Sequence, residues 1–389
     1  MEPGLLEHDA LLVVNPRRSE PLWRAARSIG HALFNASRSL RAVTKSAIFL
    51  LKVFPMLPSR PVDWVTRPPV IERVRYQTHR GMAQDDLYRP ASGGPYPGIV
   101  VCLGVVPFGI DHPQVPRLGA ALARSGFVTL LHWSSAMRDL RFDPEDVEDF
   151  ALAYRWLIER PDVDPARSGI LGTCVGGAFG MLAAADPRIR DQVAFVTAYA
   201  PYSSMWTLAR DIASATRPCG DTREPWPVDP LTRKVYVRSM TDQLEASEAA
   251  LLRDACTERG GHVEQDALSE DGRGIYPLLL PLSVDEADAA LRRLSPEMQE
   301  RLTAMSPMTY LEDIHAPLIV LFHDRGDTVI PVSESRQLRS ALARHCGVHY
   351  TELGFQHLNP SMMSPIRLIR ELGKFYRAIY PLFRRAVTA

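Results

Sequence analysis

The stretch that decides the fold is Gly169-Ile-Leu-Gly-Thr-Cys-Val-Gly-Gly-Ala178. Its first residues form an apolar, strand-like run, and a helix-like run to Ala185 comes after it. Gly172 and Gly176 flank Cys174, and residues without a Cβ allow the close backbone packing that a sharp strand-to-helix turn needs. The G-x-C-x-G pattern therefore predicts a nucleophile elbow, G-x-S-x-G, in which cysteine replaces serine.

Cys174 is the candidate nucleophile at this elbow. A cysteine at the N-terminus of a helix is favoured as the thiolate by the helix dipole. The alternative is a small buried residue beside a glycine-rich turn, because free cysteine is among the most often buried residue types. Only the elbow predicts that an acid and then a histidine occur further along the chain, so the downstream sequence distinguishes the two interpretations.

The acid is expected after Ala316–His323, an apolar run opened by proline that predicts a buried parallel strand. Asp324 and Asp327 come after this strand, where a carboxylate can reach a histidine of the next loop. Asp327 is selected because it lies deeper in the loop, ahead of Val329-Ile-Pro331. Its alternative role is a turn or N-cap residue before the helix predicted over residues 333–343.

The histidine is expected after the last strand. Val348–Leu353 alternates like a short strand, and His357 lies in the loop after it. Of the 11 histidines, His357 alone follows the last predicted strand, whereas His345 falls in a helix-like segment and His349 within the strand. The alternative for His357 is a surface loop residue.

The chain resembles the α/β-hydrolases, and its cysteine makes it similar to the dienelactone hydrolase branch. The motifs that carry the resemblance are Gly172-Thr-Cys-Val-Gly-Gly177, Gly326-Asp327 with Val329-Ile-Pro331, and Gly354-Phe-Gln-His357. The segment from Ser306 to Pro331 also resembles the C-terminal part of prolyl-oligopeptidase-type hydrolases. The resemblance covers about residues 95–202 and 305–385.

This resemblance implies an α/β-hydrolase fold with a mostly parallel sheet flanked by helices. It implies a hydrolase that cleaves an ester, thioester or lactone of a small-molecule acyl substrate. Cys174 would form the acyl intermediate, His357 would act as the base, and Asp327 would orient the imidazole. No cofactor or metal is implied. Because the family's usual His-Gly after the third strand is absent, the oxyanion hole is assigned to the amides of Val175 and Val105.

Two other functions stay open at this point. An acyl-thioester also reacts with amines and thiols, so transfer to an acceptor other than water is one alternative. The other is a non-catalytic binding protein on a hydrolase fold with an inert Cys174, because fold does not fix function. Peptide cleavage ranks below ester, thioester and lactone hydrolysis, since residues 1–70 are too short for a propeller domain.

The chain divides into three parts by its patterns. Residues 1–69 predict an N-terminal helical extension and a proline-rich linker, and residues 70–202 with 305–389 predict the hydrolase core. Residues 203–304 show no strand of the sheet and predict a helical cap over the site, with a surface appendage or subunit interface as the alternative. The candidate substrate-binding residues are Phe108, Tyr202 and Trp206, each of which is also a plausible core aromatic.

The N-terminal extension carries a basic amphipathic pattern. Its apolar positions are spaced by three and four residues: Leu22, Ala26, Ile29, Leu33, Ala36, Leu40, Val43, Ala47, Leu50 and Phe54. Basic residues lie between them. The pattern favours a helix docked on its own domain or on a second copy, as in a homodimer, over peripheral membrane contact through residues 22–54.

Composition sets the broad class. Hydrophobic residues make up 46% and charged residues 23% of the 389, as in ordinary globular proteins, and the formal net charge of +0 gives no reason to expect nucleic acid as a partner. The five cysteines include no C-x-x-C and no metal spacing, which favours a reducing compartment. The acidic first residues lack the basic start of a signal peptide, so the sequence predicts a cytoplasmic protein.

Overall fold

The computed structural model describes residues 20–106, 109, 112–258, 261–344, 347–355 and 363–387, and in the first helix it describes side chains from residue 36 onward. The strands are β1 Val70–Thr78, β2 Gly81–Arg89, β3 Tyr96–Cys102, β4 Val128–His132, β5 Val163–Thr173, β6 Val196–Tyr199, β7 Thr216–Cys219, β8 Thr222–Pro225, β9 Ile319–Asp324 and β10 Val348–Leu353.

The α-helices, in chain order, are α1 Glu20–Val53, α2 Arg60–Val65, α3 Gln114–Arg124, α4 Ser135–Arg138, α5 Asp146–Ile158, α6 Val175–Ala184, α7 Met205–Ser214, α8 Pro230–Met240, α9 Ala246–Arg253, α10 Glu270–Ile275, α11 Val284–Arg292, α12 Pro296–Ala304, α13 Val332–Ala341 and α14 Pro365–Val387. Among these described elements, none has the length and apolar composition needed to cross a membrane.

Eight strands form one sheet in the order β1-β2-β4-β3-β5-β6-β9-β10. The pairs β1–β2 and β2–β4 are antiparallel, and every other neighbouring pair is parallel. Parallel neighbours need a crossover, and α3, α5, α6 and α13 lie in such connections. The predicted α/β class with a mostly parallel sheet is confirmed.

Helices cover both faces of the sheet. One core contains residues of α1, α3 and α14 packed on one face, such as Phe49, Leu122 and Phe383. The other contains residues of α5 and α6 together with most of the apolar residues of segment 205–304, such as Phe150, Phe179 and Trp226. Burial on both faces explains why the central strands are continuous apolar runs in the sequence.

Several elements were not predicted from the sequence, among them the separate two-stranded sheet of β7 and β8, strand β2 and helix α2. Strand β2 is rich in polar residues and lies one strand from the edge of the sheet, so it lacks the apolar run that marks the central strands. Helix α2 lies inside the segment expected to be a stiff linker. Pro61 falls in its first turn, where proline disturbs no helical hydrogen bond.

Helix α1 is continuous and packs on α3 and α14 of its own chain, and Leu50 and Phe54 of the predicted apolar face belong to this contact, but Leu40 and Val43 do not. The buried residues are Ala42, Ser46 and Phe49, whereas Leu40 and Val43 of the predicted face are 68% and 43% exposed. Two small residues let the helix approach closely, and the Ser46 hydroxyl donates to the Ala42 carbonyl at 2.8 Å, so its burial leaves no donor unpaired.

Candidate active site

Cys174 occupies the corner between β5 and α6, with φ 56° and ψ −131°. A positive φ is uncommon for a residue with a side chain and persists only where the surrounding structure holds it. The Cys174 amide donates to the carbonyl of Tyr199 at 2.7 Å, which ties the corner to β6. The predicted strand–turn–helix around the cysteine is therefore present.

The glycines of the motif are required by backbone contacts. A Cβ on Gly172 would lie 2.2 Å from the carbonyl oxygen of Gly176. A Cβ on Gly176 would lie 2.1 Å from the carbonyl oxygen of Cys102 and 2.4 Å from the amide nitrogen of Gly104. The end of β3 thus packs directly on the first turn of α6, which only residues without a Cβ allow.

Cys174 is held as a thiol by its surroundings. Burial, with further contributions from the carboxylates of Asp327 and Asp229, raises the pKa of Cys174 to about 12, while the Val175 amide that hydrogen-bonds to the sulfur acts in the opposite direction. Desolvation and the two negative charges outweigh the helix N-terminus. The helix dipole favours a thiolate, but burial and the two carboxylates act more strongly in the other direction on the pKa of Cys174, so a base is needed to take the proton.

Asp327 lies in the loop after β9 and is buried. Its Oδ1 accepts from the amides of Val329 and Ile330 at 2.7 and 3.1 Å, which fixes the carboxylate. Nε2 of His323 is 3.7 Å from its Oδ2. The charge of Asp327 contributes to the raised pKa of Cys174, and the loop that carries it follows β9 at the same edge of the sheet as the corner after β5.

Asp324, the competing acid, is also buried but has a different environment. Its carboxylate accepts from the Tyr199 hydroxyl at 2.5 Å and from the Phe355 amide at 2.9 Å. These contacts join the ends of β6 and β9 to the start of the loop that carries His357. Asp324 is thus placed to position that loop, and Asp327 stays the predicted catalytic acid.

Two of the predicted residues lie outside the described part of the chain. They are His357, within residues 356–362, and Phe108. The described residue before the His357 loop is Phe355, whose amide is held by Asp324. The alternative His345 is also outside the described residues, and His349 is exposed on β10.

The two predicted oxyanion donors belong to segments that pack together. Gly104, which precedes Val105, has φ +72°, and a Cβ there would lie 2.8 Å from the Gly176 amide nitrogen. The Thr173 hydroxyl donates to the Leu103 carbonyl at 2.8 Å, which fixes the same loop to the elbow. The structure therefore brings the backbone at Val105 close to the amide of Val175.

Segment 203–304 meets the acid loop through its own hydrogen bonds. The indole Nε1 of Trp226 donates to the carbonyl of Asp327 at 2.9 Å, and the amide of Asp229 donates to the carbonyl of Thr328 at 2.9 Å. Asp229 begins α8 as its N-cap, with Oδ1 accepting from the Leu231 amide at 2.8 Å. This segment thus brings a second carboxylate to Cys174. In the sequence, Asp229 before Pro230 indicates only that a helix begins there, and it does not indicate that this carboxylate lies near Cys174.

The remaining candidate substrate residues are held by the protein itself. Tyr202 is buried, and its hydroxyl donates to the Met305 carbonyl at 2.8 Å. Trp206 is half-buried in α7, and its Nε1 donates to the Thr303 hydroxyl at 3.2 Å. Burial, and to a lesser extent the charge that Cys174 would carry, raises the pKa of Tyr202, and Cys174 packs against the core cluster that contains Tyr202. Tyr202 can therefore form part of the pocket wall, but its hydroxyl already donates its hydrogen bond to Met305.

A separate cavity of about 410 Å³ opens beside β2 and β4. Arg73, Arg80, His132 and Trp133 line it, and it does not include Cys174. In the described ranges no group of three or more His, Cys, Asp or Glu residues is arranged to hold a metal ion.

Comparison with solved structures identifies the class of fold. An acylaminoacyl peptidase of Pyrococcus horikoshii matches with a TM-score of 0.51 and 15% identity, over 83% of this chain and 43% of that one. An acylaminoacyl peptidase in complex with Z-Gly-Gly-Phe-chloromethyl ketone matches with a TM-score of 0.50, 15% identity and the same coverage. The chain spans less than half the length of these structures. The predicted α/β-hydrolase fold is confirmed.

Sequence comparison adds distant relatives. A Bradyrhizobium protein described as a probable 2-oxo-3-(5-oxofuran-2-ylidene)propanoate lactonase is 29% identical over 192 residues, 43% of this chain and 75% of that protein. The mouse acyl-coenzyme A amino acid N-acyltransferase 1 is 28% identical over 120 residues, 30% of this chain and 27% of that protein. No family model matches the chain. The chain thus shares the fold of α/β-hydrolases and is similar in sequence, at 29% identity, to the protein described as a lactonase.

Proposed function

We propose that the protein hydrolyses an ester, thioester or lactone of a small acyl substrate through a covalent acyl-Cys174 intermediate. One observation carries the proposal: Cys174 lies at a strained strand–helix corner, with the Val175 amide on its sulfur and the buried Asp327 in the loop after β9. This arrangement combines a nucleophile, an oxyanion donor and an acid at one edge of the sheet.

In the first half-reaction, the imidazole of His357 takes the thiol proton as the Cys174 sulfur attacks the substrate carbonyl carbon. The carbonyl oxygen becomes negative and is stabilised by the amides of Val175 and Val105. The tetrahedral intermediate collapses, the bond to the leaving group breaks, and His357 returns the proton to the departing alkoxide or thiolate. Asp327 orients the imidazole and stabilises its protonated form.

In the second half-reaction, His357 takes a proton from water, and the hydroxide oxygen attacks the thioester carbonyl. The carbon–sulfur bond breaks, the carboxylic acid leaves, and the thiol of Cys174 regains its proton. A resting thiol with a pKa of about 12 supports this order, because the proton then moves only as the substrate is attacked.

The lactone is the favoured substrate class within this proposal. The support is the distant relationship to the Bradyrhizobium protein described as a lactonase, of which the match covers 75%. With a lactone, the leaving alkoxide stays attached to the acyl group, so the first half-reaction opens the ring and the second releases a hydroxy acid.

A second candidate function is acyl transfer from the same acyl-cysteine to an amine. Its support is the match to a mouse protein named as an acyl-coenzyme A amino acid N-acyltransferase, which extends over 120 residues. The chemistry differs from hydrolysis only in the second nucleophile.

The test is turnover of a panel of p-nitrophenyl esters, acyl-thioesters and lactones, with and without amino acids as acceptors. We expect Cys174→Ala and His357→Ala to lower kcat/KM by about 10³-fold or more. Cys219→Ala is the matched control, because Cys219 is exposed, and it should retain parent activity. Full activity in Cys174→Ala would overturn the proposal, and products that form only with an amino acid present would favour acyl transfer.

A further inference from the structure

Helices α1 and α14 together expose apolar side chains that the fold does not use. On α1, Leu40 and Val43 are 68% and 43% exposed. On α14, Ile366 and Ile369 are 84% and 71% exposed. Solvated aliphatic side chains grouped on one surface mark a place where a partner or a membrane binds.

The two sets of side chains belong to one surface. The Tyr376 hydroxyl of α14 donates to the carbonyl of Val43 in α1 at 3.3 Å, and the ring of Tyr376 stacks on Tyr380 at 6.4 Å. Ile369 and Tyr376 are seven residues apart and so lie on the same side of their helix. We call this surface the α1–α14 face; its apolar residues are Leu40, Val43, Ile366, Ile369, Tyr376 and Tyr380.

The same two helices concentrate positive charge in a chain whose formal net charge is +0. Each contains six basic residues and one acidic residue, a formal charge of +5. Arg41, Arg370 and Arg377 lie beside the apolar residues and form no ion pair with a carboxylate in the ranges that the structure describes. The rest of the chain must carry the balancing negative charge, so positive charge is concentrated on these two helices.

We propose that the α1–α14 face binds the surface of an anionic lipid bilayer, with its aliphatic and tyrosine side chains in the headgroup region and its arginines on the lipid phosphates. Basic residues around exposed apolar ones are the combination that holds a helix in the plane of a membrane. A second copy docked symmetrically on the same face would place the two sets of positive charges opposite each other, which disfavours a dimer there.

The proposal fits the shape of the two helices. Residues 21–53 contain no acidic residue, and a helix of the length of α1, 34 residues, extends for about 51 Å. Both helices pack on the opposite face of the sheet from α5 and α6. The contact is peripheral.

The experiment is co-sedimentation of the full chain with phosphatidylcholine vesicles prepared with and without phosphatidylglycerol. We expect binding only to the anionic vesicles, weakened by added NaCl. Arg370→Gln with Arg377→Gln should lower the partition coefficient by about fivefold for each charge removed. Leu40→Asn with Ile369→Asn should lower it by about tenfold or more.

A matched control removes two arginines elsewhere: Arg155→Gln with Arg292→Gln, from α5 and α11. It should bind like the parent, and circular dichroism should show that all variants are folded. The proposal is overturned if the parent does not bind anionic vesicles at low salt or if the control loses as much binding as the Arg370 and Arg377 variant. A parent dimer that Leu40→Asn with Ile369→Asn converts to monomers, without vesicle binding, would instead identify a second copy as the occupant.

Discussion

Gly176→Ala tests the contact that builds the elbow. The new Cβ would lie 2.1 Å from the Cys102 carbonyl oxygen and 2.4 Å from the Gly104 amide nitrogen. Both atoms are backbone, so no side-chain rotation relieves the overlap, and the end of β3 must move by about 1 Å to reach an ordinary contact. Overpacking of this kind costs about 3 kcal/mol of the free energy of unfolding.

Alanine substitutions at two other glycines give reference values for this loss of stability. A Cβ on Gly177 would come no closer than 3.3 Å to its neighbours, so Gly177→Ala should cost about 1 kcal/mol. A Cβ on Gly373, inside α14, would meet nothing within 4 Å, so Gly373→Ala should stabilise the protein by about 0.5–1 kcal/mol. Urea unfolding followed by circular dichroism gives the order from the midpoints at constant m.

Gly176→Ala should lower kcat as well as the free energy of unfolding, because the displaced loop carries Val105, a proposed oxyanion donor. Loss of one such donor lowers kcat by about 10²–10³. The reasoning is refuted if Gly176→Ala unfolds at the same urea concentration as Gly373→Ala, or if it keeps the kcat of the parent while the protein stays folded.

Two further predictions concern segment 203–304. Asp229→Asn removes a charge that raises the pKa of Cys174 but keeps a side chain that can cap α8. Iodoacetamide should therefore label Cys174 faster at pH 8, and the midpoint of the pH profile of labelling should fall. Asp221→Asn, an exposed control, should be labelled like the parent, and equal labelling rates for both variants would exclude the role of Asp229. Trp226→Phe removes the hydrogen bond to the buried Asp327 carbonyl. The urea midpoint should therefore fall by the equivalent of about 1–3 kcal/mol in the free energy of unfolding, and kcat/KM should fall with it. An unchanged midpoint and an unchanged kcat/KM would contradict the anchoring of the acid loop by this indole.

The parts of the fold that could be predicted from the sequence have strong local causes. The buried strands β3, β5 and β9 are apolar runs, and the glycines around Cys174 lie where a Cβ would come within 2.1–2.2 Å of backbone oxygen atoms. The order of nucleophile, acid and histidine along the chain then limits the residues that can be the catalytic acid and the catalytic histidine. These signals lie within a few residues of the feature that they predict.

The parts that could not be predicted depend on contacts between distant segments. Asp229 and Trp226 reach the acid loop because of the path of a hundred-residue insertion, and no pattern within that insertion encodes its docking. The protonation of Cys174 has the same origin, since the helix N-terminus is visible in the sequence but the burial and the Asp229 charge that outweigh it are not.

Helix α1 shows a different kind of failure. Its spacing of larger apolar residues predicts a buried face that includes Leu40 and Val43, but the helix packs through Ala42, Ser46 and Phe49. Small residues carry little hydrophobic signal, yet they permit close helix packing. The helix therefore has two apolar sides, and periodicity alone does not decide which one the domain buries.

The central claim is that Cys174 carries the acyl group, and mass spectrometry of acid-quenched reactions tests it most directly. During turnover of an acyl-thioester or lactone, we expect the peptide containing Cys174 to gain the mass of the acyl group. Cys219→Ala should show the same adduct, and Cys174→Ala should show none and turn over at least about 10³-fold more slowly. Turnover by Cys174→Ala at the parent rate, or an acyl adduct on a different residue, would contradict the account.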